Sequence, residues 1–382
     1  MINKCPNYNI CGGCDYNSSY EEEIKKKHDY LVKLFKENLN YDNVLDVIKD
    51  EEVYFYRNKL QMTLKMSKTH KATAGFYQSG THKVIPVDKC YIQNEQGNKA
   101  IDSVVKSLND NKISIYDEEK DRGLVQHVLV KVGYKTNEIM VIIVTKEEMF
   151  PGRNNFLKEL LKLEPNIKTV IQNINPRHTS IVLGNTERIL YGKGYIYDDI
   201  AGYKFKIYSK SFYQVNPRQT VKLYKKAIEL ARLNKNDIVL DAYSGVGTIG
   251  IMLAKSVKKV YSVELNKEAH EASIYNAKLN NINNIEFYNA DCTEFMNDLV
   301  DNNVNIDVLI MDPPRTGSTE EFLNGILKLK PKKVIYISCG PDTLVRDLKV
   351  LMNDYFISTV QPVDMFARTK HVECVTLMTR KE

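Results

Sequence analysis

"VLDAYSGVGTIGIMLA", residues 239–254, runs from an apolar stretch through a glycine-rich turn into a second apolar stretch. It reads as strand, tight turn and helix. Gly245 and Gly247 let the backbone turn sharply and approach a ligand, and Gly250 eases packing of the helix that follows. The glycine spacing is that of a nucleotide-binding unit, and several ligand classes share it.

Downstream, the strands "KKVYSVEL", "NIEFYNAD", "IDVLIMDPP" and "KKVIYISCG" alternate with helical stretches, and "FISTVQPVD" and "HVECVTLMT" close the chain. This alternation predicts an α/β fold with a doubly wound, mostly parallel sheet of seven strands. Ligands of such sheets gather at the carboxyl ends of the strands. Glu264 ends the second strand, where a carboxylate can hold a ribose hydroxyl pair. Asp291 follows the third, placed for an adenine edge. Both suit NAD or S-adenosylmethionine (SAM). "MDPPRTG", 311–317, decides between them. Its two prolines stiffen the backbone and hold Asp312 toward the cleft. A dehydrogenase has no evident need of this element, so the pattern favours a methyltransferase.

Cys339 ends the next apolar run, in "YISCGPDTL", at a strand tip. A thiolate there can act as a nucleophile. Uracil needs one, because its carbon 5 is too electron-poor to attack a methyl sulfonium directly. Thiolate addition at carbon 6 makes carbon 5 enolate-like. A base must later take the carbon 5 proton so that the thiolate can leave, and Glu373 in "TKHVECVTL" is the candidate. Cys292 and Cys374 lie in strand contexts without a turn and read as structural.

The 382 residues are 43% hydrophobic, enough for two packed domains. A net charge of +6 tolerates nucleic acid without demonstrating it. No apolar run approaches the roughly 20 residues that span a bilayer. "MINKCPNYN" lacks the order of a secretory signal, so a cytoplasmic location is expected. The seven cysteines should then be reduced, and clustered ones suggest metal. Cys5, Cys11 and Cys14 follow the pattern C-x5-C-x2-C, with Cys90 far downstream in "VIPVDKC". Four thiolates suit zinc or an iron–sulfur cluster. A helix starts at Ser19, with Glu22 completing a capping box and Ile24, Leu31, Leu34 and Phe35 forming an apolar stripe. From about 52 to 200 the pattern is mostly strands, including "KLQMTLKM" and "TSIVLG", with one helix near 149–165, an α+β sheet domain. Residues 56–83 mix Lys, Arg, His, Tyr and Phe suitably for phosphates and stacked bases.

"SFYQVN", "DAYSGVGTIG", "VELN", "DPPR", "SCGP" and "HVE" occur in this order over 203–382. Together they resemble the RNA (uracil-5-)-methyltransferase family. The resemblance implies a Rossmann-like class I methyltransferase domain over 201–382. In it Gln214, Tyr243, Glu264 and Asp312 would bind SAM, with Thr248 and Asp291 beside them, Cys339 as nucleophile and Glu373 as general base. It implies a [4Fe-4S] cluster on Cys5, Cys11, Cys14 and Cys90, within a central domain of residues 1–18 and 51–200. A helical segment, 19–50, would pack on the catalytic domain. Many relatives begin with a small β-barrel RNA-binding domain, whereas this chain starts at the cysteine motif, so RNA contacts are expected from the central domain and the cleft rim. The expected partner is RNA, 23S ribosomal RNA first and transfer RNA second, with no membrane and no obligate protein partner. Radical SAM chemistry is disfavoured, because it uses three ligands at tighter spacing and Cys90 can close this site. RNA cytosine-5 methylation pairs two cysteines from different motifs, and only one thiol is well placed here. A non-catalytic RNA-binding relic would not need both Cys339 and Glu373.

Overall fold

Two seven-stranded sheets and one β-hairpin organise the described residues. The computed structural model describes residues 5–177 and 181–382. The first helix, α1 (Tyr20–Leu39), forms where the capping box predicts it. The Ser19 hydroxyl accepts the Glu22 amide hydrogen and the Glu22 carboxylate accepts that of Ser19. Asn40, in the left-handed region, ends the helix.

The first sheet contains β1 (Lys59–Met66), β2 (Ala72–Tyr77), β3 (Val84–Pro86), β4 (Val125–Val132), β5 (Ile139–Thr145), β6 (Ile167–Ile174) and β7 (Thr186–Gly192), in the order β3-β2-β1-β4-β5-β6-β7. All its pairings are antiparallel except β5 with β6. Helices α2 (Glu95–Asp110) and α3 (Arg153–Leu163) accompany it. The patterning reveals α3 but not α2. That helix carries Gly97 in its first turn because a Cβ there would lie 2.5 Å from Leu60. "TSIVLG" was expected as a strand. Its first two residues lie outside the described residues, and 181–184 are irregular. There the Asn173 side chain stands in for a strand partner, donating to the Gly184 carbonyl and accepting its amide hydrogen.

A hairpin of β8 (Tyr195–Ile200) and β9 (Tyr203–Tyr208) links the two sheets. The expected boundary at 200/201 falls in its turn. The second sheet holds β10 (Ile238–Ala242), β11 (Lys259–Val263), β12 (Ile285–Tyr288), β13 (Val308–Met311), β14 (Lys333–Ser338), β15 (Tyr355–Val363) and β16 (Glu373–Arg380), in the order β12-β11-β10-β13-β14-β16-β15. Strands β10 to β14 run parallel, while β16 is antiparallel to both its neighbours. Helices α4 (Pro217–Ala231), α5 (Thr248–Leu253), α6 (Lys267–Leu279), α7 (Cys292–Asp301), α8 (Glu320–Leu329) and α9 (Pro341–Leu351) alternate with these strands. This is the expected doubly wound α/β sheet. Its strand order reverses between β10 and β13, the switch point where such sheets open a crevice.

One apolar cluster runs through both sheets. It joins Leu129, Met140 and Ile142 to Ile196 and Phe205 of the hairpin and on to Val239 and Ile310. On the other face of the second sheet, Leu31 and Phe35 of α1 pack with Leu240, Leu309 and Tyr336. Beyond α1 the chain runs beside β15, with parallel bridges Val44–Val360 and Ile48–Val363. Among the described residues no helix is long and apolar enough to cross a membrane.

Candidate active site

The glycine turn has the geometry its composition predicts. Gly245 and Gly247 have φ of 56° and 81°, and the non-glycine Tyr243 is also left-handed at 60°. Two carboxylates brace the turn. Glu264, just past β11, accepts the Gly245 amide hydrogen at 2.9 Å and that of Asn266 at 2.7 Å. Asp241, inside β10, accepts the Gly250 amide hydrogen at 2.9 Å, and its other oxygen has no partner. Burial pushes the Asp241 carboxyl up to about 7 despite that bond, with the charges of Asp312 and Glu264 adding to the rise.

The remaining sequence-predicted residues divide by what their side chains touch. Thr248 is the first residue of α5 and is buried. Asp291 caps α7, accepting from Thr293 and Glu294. The Tyr243 ring turns inward onto Phe322, with its hydroxyl 3.0 Å from that of Ser318, so its backbone rather than its ring stands at the turn. Leu265, beside Glu264, is a large apolar side chain left 65% exposed at a strand tip. Gln214, in the loop between β9 and α4, donates to the Tyr224 hydroxyl at 3.3 Å. That hydroxyl also lies near Asp312, just past β13, where it favours the charged carboxylate. Burial raises Asp312 to about 7, against the lowering effect of Tyr224. Tyr224 therefore stands by two residues predicted from sequence, but its position in the middle of α4 gave no signal of this.

Cys339 follows β14 directly and precedes Gly340, the N-cap of α9. Ser338 pairs with Cys374 across the antiparallel β14–β16 ladder. Cys339 and Glu373 flank this last pair of the ladder, so both stand at the same end of the sheet. The two groups interact: burial first, then the charges of Glu373 and Asp312, push the Cys339 thiol up to about 11, while Arg315 pulls it down. Glu373 is 4% exposed, and burial followed by Asp312 raises it to about 8. A carboxyl in that range is matched to taking a proton near neutral pH. Burial, and next Arg315, hold His371 below its ordinary value. Arg315 donates to its Nδ1 at 2.9 Å, which places the proton of the neutral ring on Nε2. A cavity of about 520 Å³ opens on Cys339 between α1, the Arg315 loop and residues 370–372.

The four N-terminal and central cysteines gather within electrostatic reach of one another. Burial, then Cys90, Cys11 and Cys5, push the Cys14 thiol up to about 12. Burial is also the main cause of the rise at Cys90, to which Cys11 and Cys5 contribute. Yet among the described residues no group of three or more His, Cys, Asp or Glu stands at metal-holding geometry. The donor set fits a soft metal or cluster, and the spacing is not closed to ligand distances.

Known proteins bear on these features. An uncharacterized RNA methyltransferase of Bacillus cereus is 40% identical over 383 residues, 99% of this chain and 83% of that protein. One from Staphylococcus aureus is 38% identical over 380 residues, covering 99% and 84%. The crystal structure of Pyrococcus abyssi tRNA (uracil-54, C5)-methyltransferase with S-adenosyl-L-homocysteine is 28% identical, with a TM-score of 0.79 over 95% of this chain and 84% of that one. The fold is thus that of a class I SAM-dependent methyltransferase. Residues 19–381 match the tRNA (uracil-5-)-methyltransferase family, and the chain belongs to that family of RNA-methylating enzymes.

Proposed function

We propose that this enzyme methylates carbon 5 of a uridine in RNA through a covalent Cys339 adduct, with Glu373 as general base. The observation that carries this reading is the register of β14 and β16, whose last pair is flanked by the Cys339 thiol and the Glu373 carboxyl, at the end of the sheet where Asp312, Glu264 and the glycine turn also lie. SAM, when bound, supplies the methyl group and a positively charged sulfonium. Asp312, Gln214, Glu264 and Thr248 hold it, with the Tyr243 backbone at the turn and Asp291 and the exposed Leu265 at its adenine end. A cation beside Asp312, Glu373 and Cys339 favours the ionised form of each. Cys339, assisted by Arg315 and the start of α9, attacks carbon 6 of the uracil as thiolate. The C5–C6 π pair displaced by this attack would then bond carbon 5 to the methyl group, whose bond to sulfur breaks with its pair kept by the sulfur. Glu373 removes the carbon 5 proton, that bonding pair becomes the C5–C6 double bond, and the C6–S pair leaves with Cys339.

The target base must leave its stack to reach the cavity. Lys26, Arg315 and Lys370 with Tyr16 and Tyr30 line its mouth and suit phosphates and flat bases. We read residues 201–382 as the catalytic unit with 19–50 packed on it. Residues 1–18 and 51–200 form the central unit that contributes RNA contacts and a [4Fe-4S] cluster on Cys5, Cys11, Cys14 and Cys90. The gathering of Cys5, Cys11 and Cys90 around Cys14 supports that donor set. Of the RNA substrates, 23S ribosomal RNA is the first reading. Transfer RNA is the second, favoured by the substrate named for the Pyrococcus abyssi enzyme. Mapping 5-methyluridine in both RNAs with and without the gene tests this. Loss of the modification from 23S RNA, restored by the wild type but not by Cys339→Ala, is expected. Loss from transfer RNA alone would replace the first substrate with the second. Unchanged 5-methyluridine in both would overturn the function.

A further inference from the structure

Lys27 on α1 is fully buried, although its neighbourhood "EEEIKKKHDY" has the composition of a solvated face. Its ammonium uses all three hydrogens, donating to Glu23 Oε1 at 2.8 Å, Asp364 Oδ1 at 2.7 Å and the Phe366 carbonyl at 3.2 Å. Asp364 and Phe366 belong to the 364–372 connection between β15 and β16, and Glu373 is the next residue. We propose that Lys27 is a positioning residue for the elimination step, fixing this connection and through it the Glu373 carboxyl. The proposal rests on the reading of Glu373 as the base.

Glu373 is the first residue of β16 and pairs with Val363. The ladder fixes its backbone only on the strand side, and a strand end frays unless the incoming chain is tied. Here the incoming chain is tied at several points. Tyr20 donates to Asp364 Oδ2 at 2.7 Å, and Glu23 Oε1 accepts the Arg368 amide hydrogen at 2.8 Å. The Arg368 carbonyl accepts from the Asp15 and Tyr16 amides at 2.9 and 3.1 Å, one residue past Cys14. Arg368 is held at φ of 73°, which costs a non-glycine residue energy and persists only where the surroundings over-determine it. A buried ion pair contributes little net stability compared with apolar packing, but a fully bonded one fixes geometry. Lys27 also lines the Cys339 cavity, so the anchor stands beside the chemistry.

The test compares covalent adduct, single-turnover methyl transfer and multiple turnover on an RNA oligonucleotide carrying the target uridine. Lys27→Met keeps length and removes the charge. Glu23→Gln/Lys27→Met removes one charge of each sign and covers the case in which the single variant fails to fold. Misplacing a catalytic group by about 1 Å costs up to ~100-fold. Turnover should therefore fall about 10- to 100-fold while first-round methyl transfer and SAM affinity stay near wild type, and a denaturant-stable methylated protein–RNA species should accumulate. A merely structural lysine would lower melting temperature and both rates together with no adduct, and that result overturns the inference. Glu373→Gln run alongside separates the two failures. If it traps adduct and the Lys27 variants do not, the inference alone falls. If it traps none, the assignment of the base falls and the inference with it.

Discussion

Asp241 and Gly250 are joined across the glycine turn by a 2.9 Å bond from the Gly250 amide to the Asp241 carboxyl. A Cβ on Gly250 would lie 2.8 Å from that same oxygen. Gly250→Ala should therefore push the carboxyl off its donor. Overpacking of this kind costs about 1–3 kcal/mol. Urea unfolding of the variant checks the loss of stability, and an unchanged midpoint would remove the strain from the account of this turn.

Asp241 and Asp312 are raised to about 7 and Glu373 to about 8. The folded protein thus holds protons that the unfolded chain has released, from about pH 4 up to those values. Stability from these groups is complete below the ordinary carboxylate range and is lost as pH rises through 7 and 8. Each contributes up to about 1.4 kcal/mol per pH unit across that window. Melting of the SAM-free protein between pH 5 and 9 should show the decline, and Asp312→Asn and Glu373→Gln should each flatten it. A curve that rises over this range would contradict the burial of these acids.

Asp312→Asn and Glu264→Gln should each weaken SAM binding without unfolding the protein. Tyr224→Phe should act in the same direction, because it removes the hydroxyl that accepts from Gln214 and favours the charged form of Asp312. Hydrogen bonds to charged groups are worth about 1.5–3 kcal/mol, or roughly tenfold to a hundredfold in affinity. Calorimetric titration reads all three, and wild-type affinity in Tyr224→Phe would reduce that residue to packing.

Cys339→Ala should bind SAM and RNA yet form no adduct and transfer no methyl group. In the wild type, RNA carrying 5-fluorouridine should trap the protein, since fluorine cannot leave as a proton does. Mass spectrometry of the trapped peptide should find the bond at Cys339. A bond at Cys292 or Cys374, both buried, would refute the register-based assignment.

Protein isolated without oxygen should contain close to four iron and four sulfide per chain. Replacing Cys11 or Cys90 with serine should abolish both and lower solubility, because metal binding contributes folding energy. Stoichiometric zinc without iron would exclude the cluster.

Residues at strand tips were legible because each ends or begins an apolar run: Glu264, Asp312, Cys339 and Glu373 all stand where the sequence places them along the sheet edge. Residues acting from inside elements were not. Tyr224 sits mid-helix, Asp241 lies within an apolar strand, and Lys27 is one of three successive lysines of which only it turns inward. Tyr243, a cofactor contact by its motif, stands at the turn through its left-handed backbone while its ring packs on Phe322, a division that the motif does not reveal. Strand β3 has only three residues, β7 buries none of its side chains and so shows no alternation, and α2 is obscured by the glycine that packs against Leu60.

The apolar cluster that passes from Leu129 through Phe205 to Ile310 has a mechanical consequence. Close-packed interiors resist shear, and a hinge needs an interface that can slide. The two sheets share one continuous core. On the proposed mechanism, the deformation needed to bring a uracil against Cys339 is expected to fall on the RNA. Uridines in strained loops should be modified faster than the same uridines in a stacked duplex, whatever their flanking sequence.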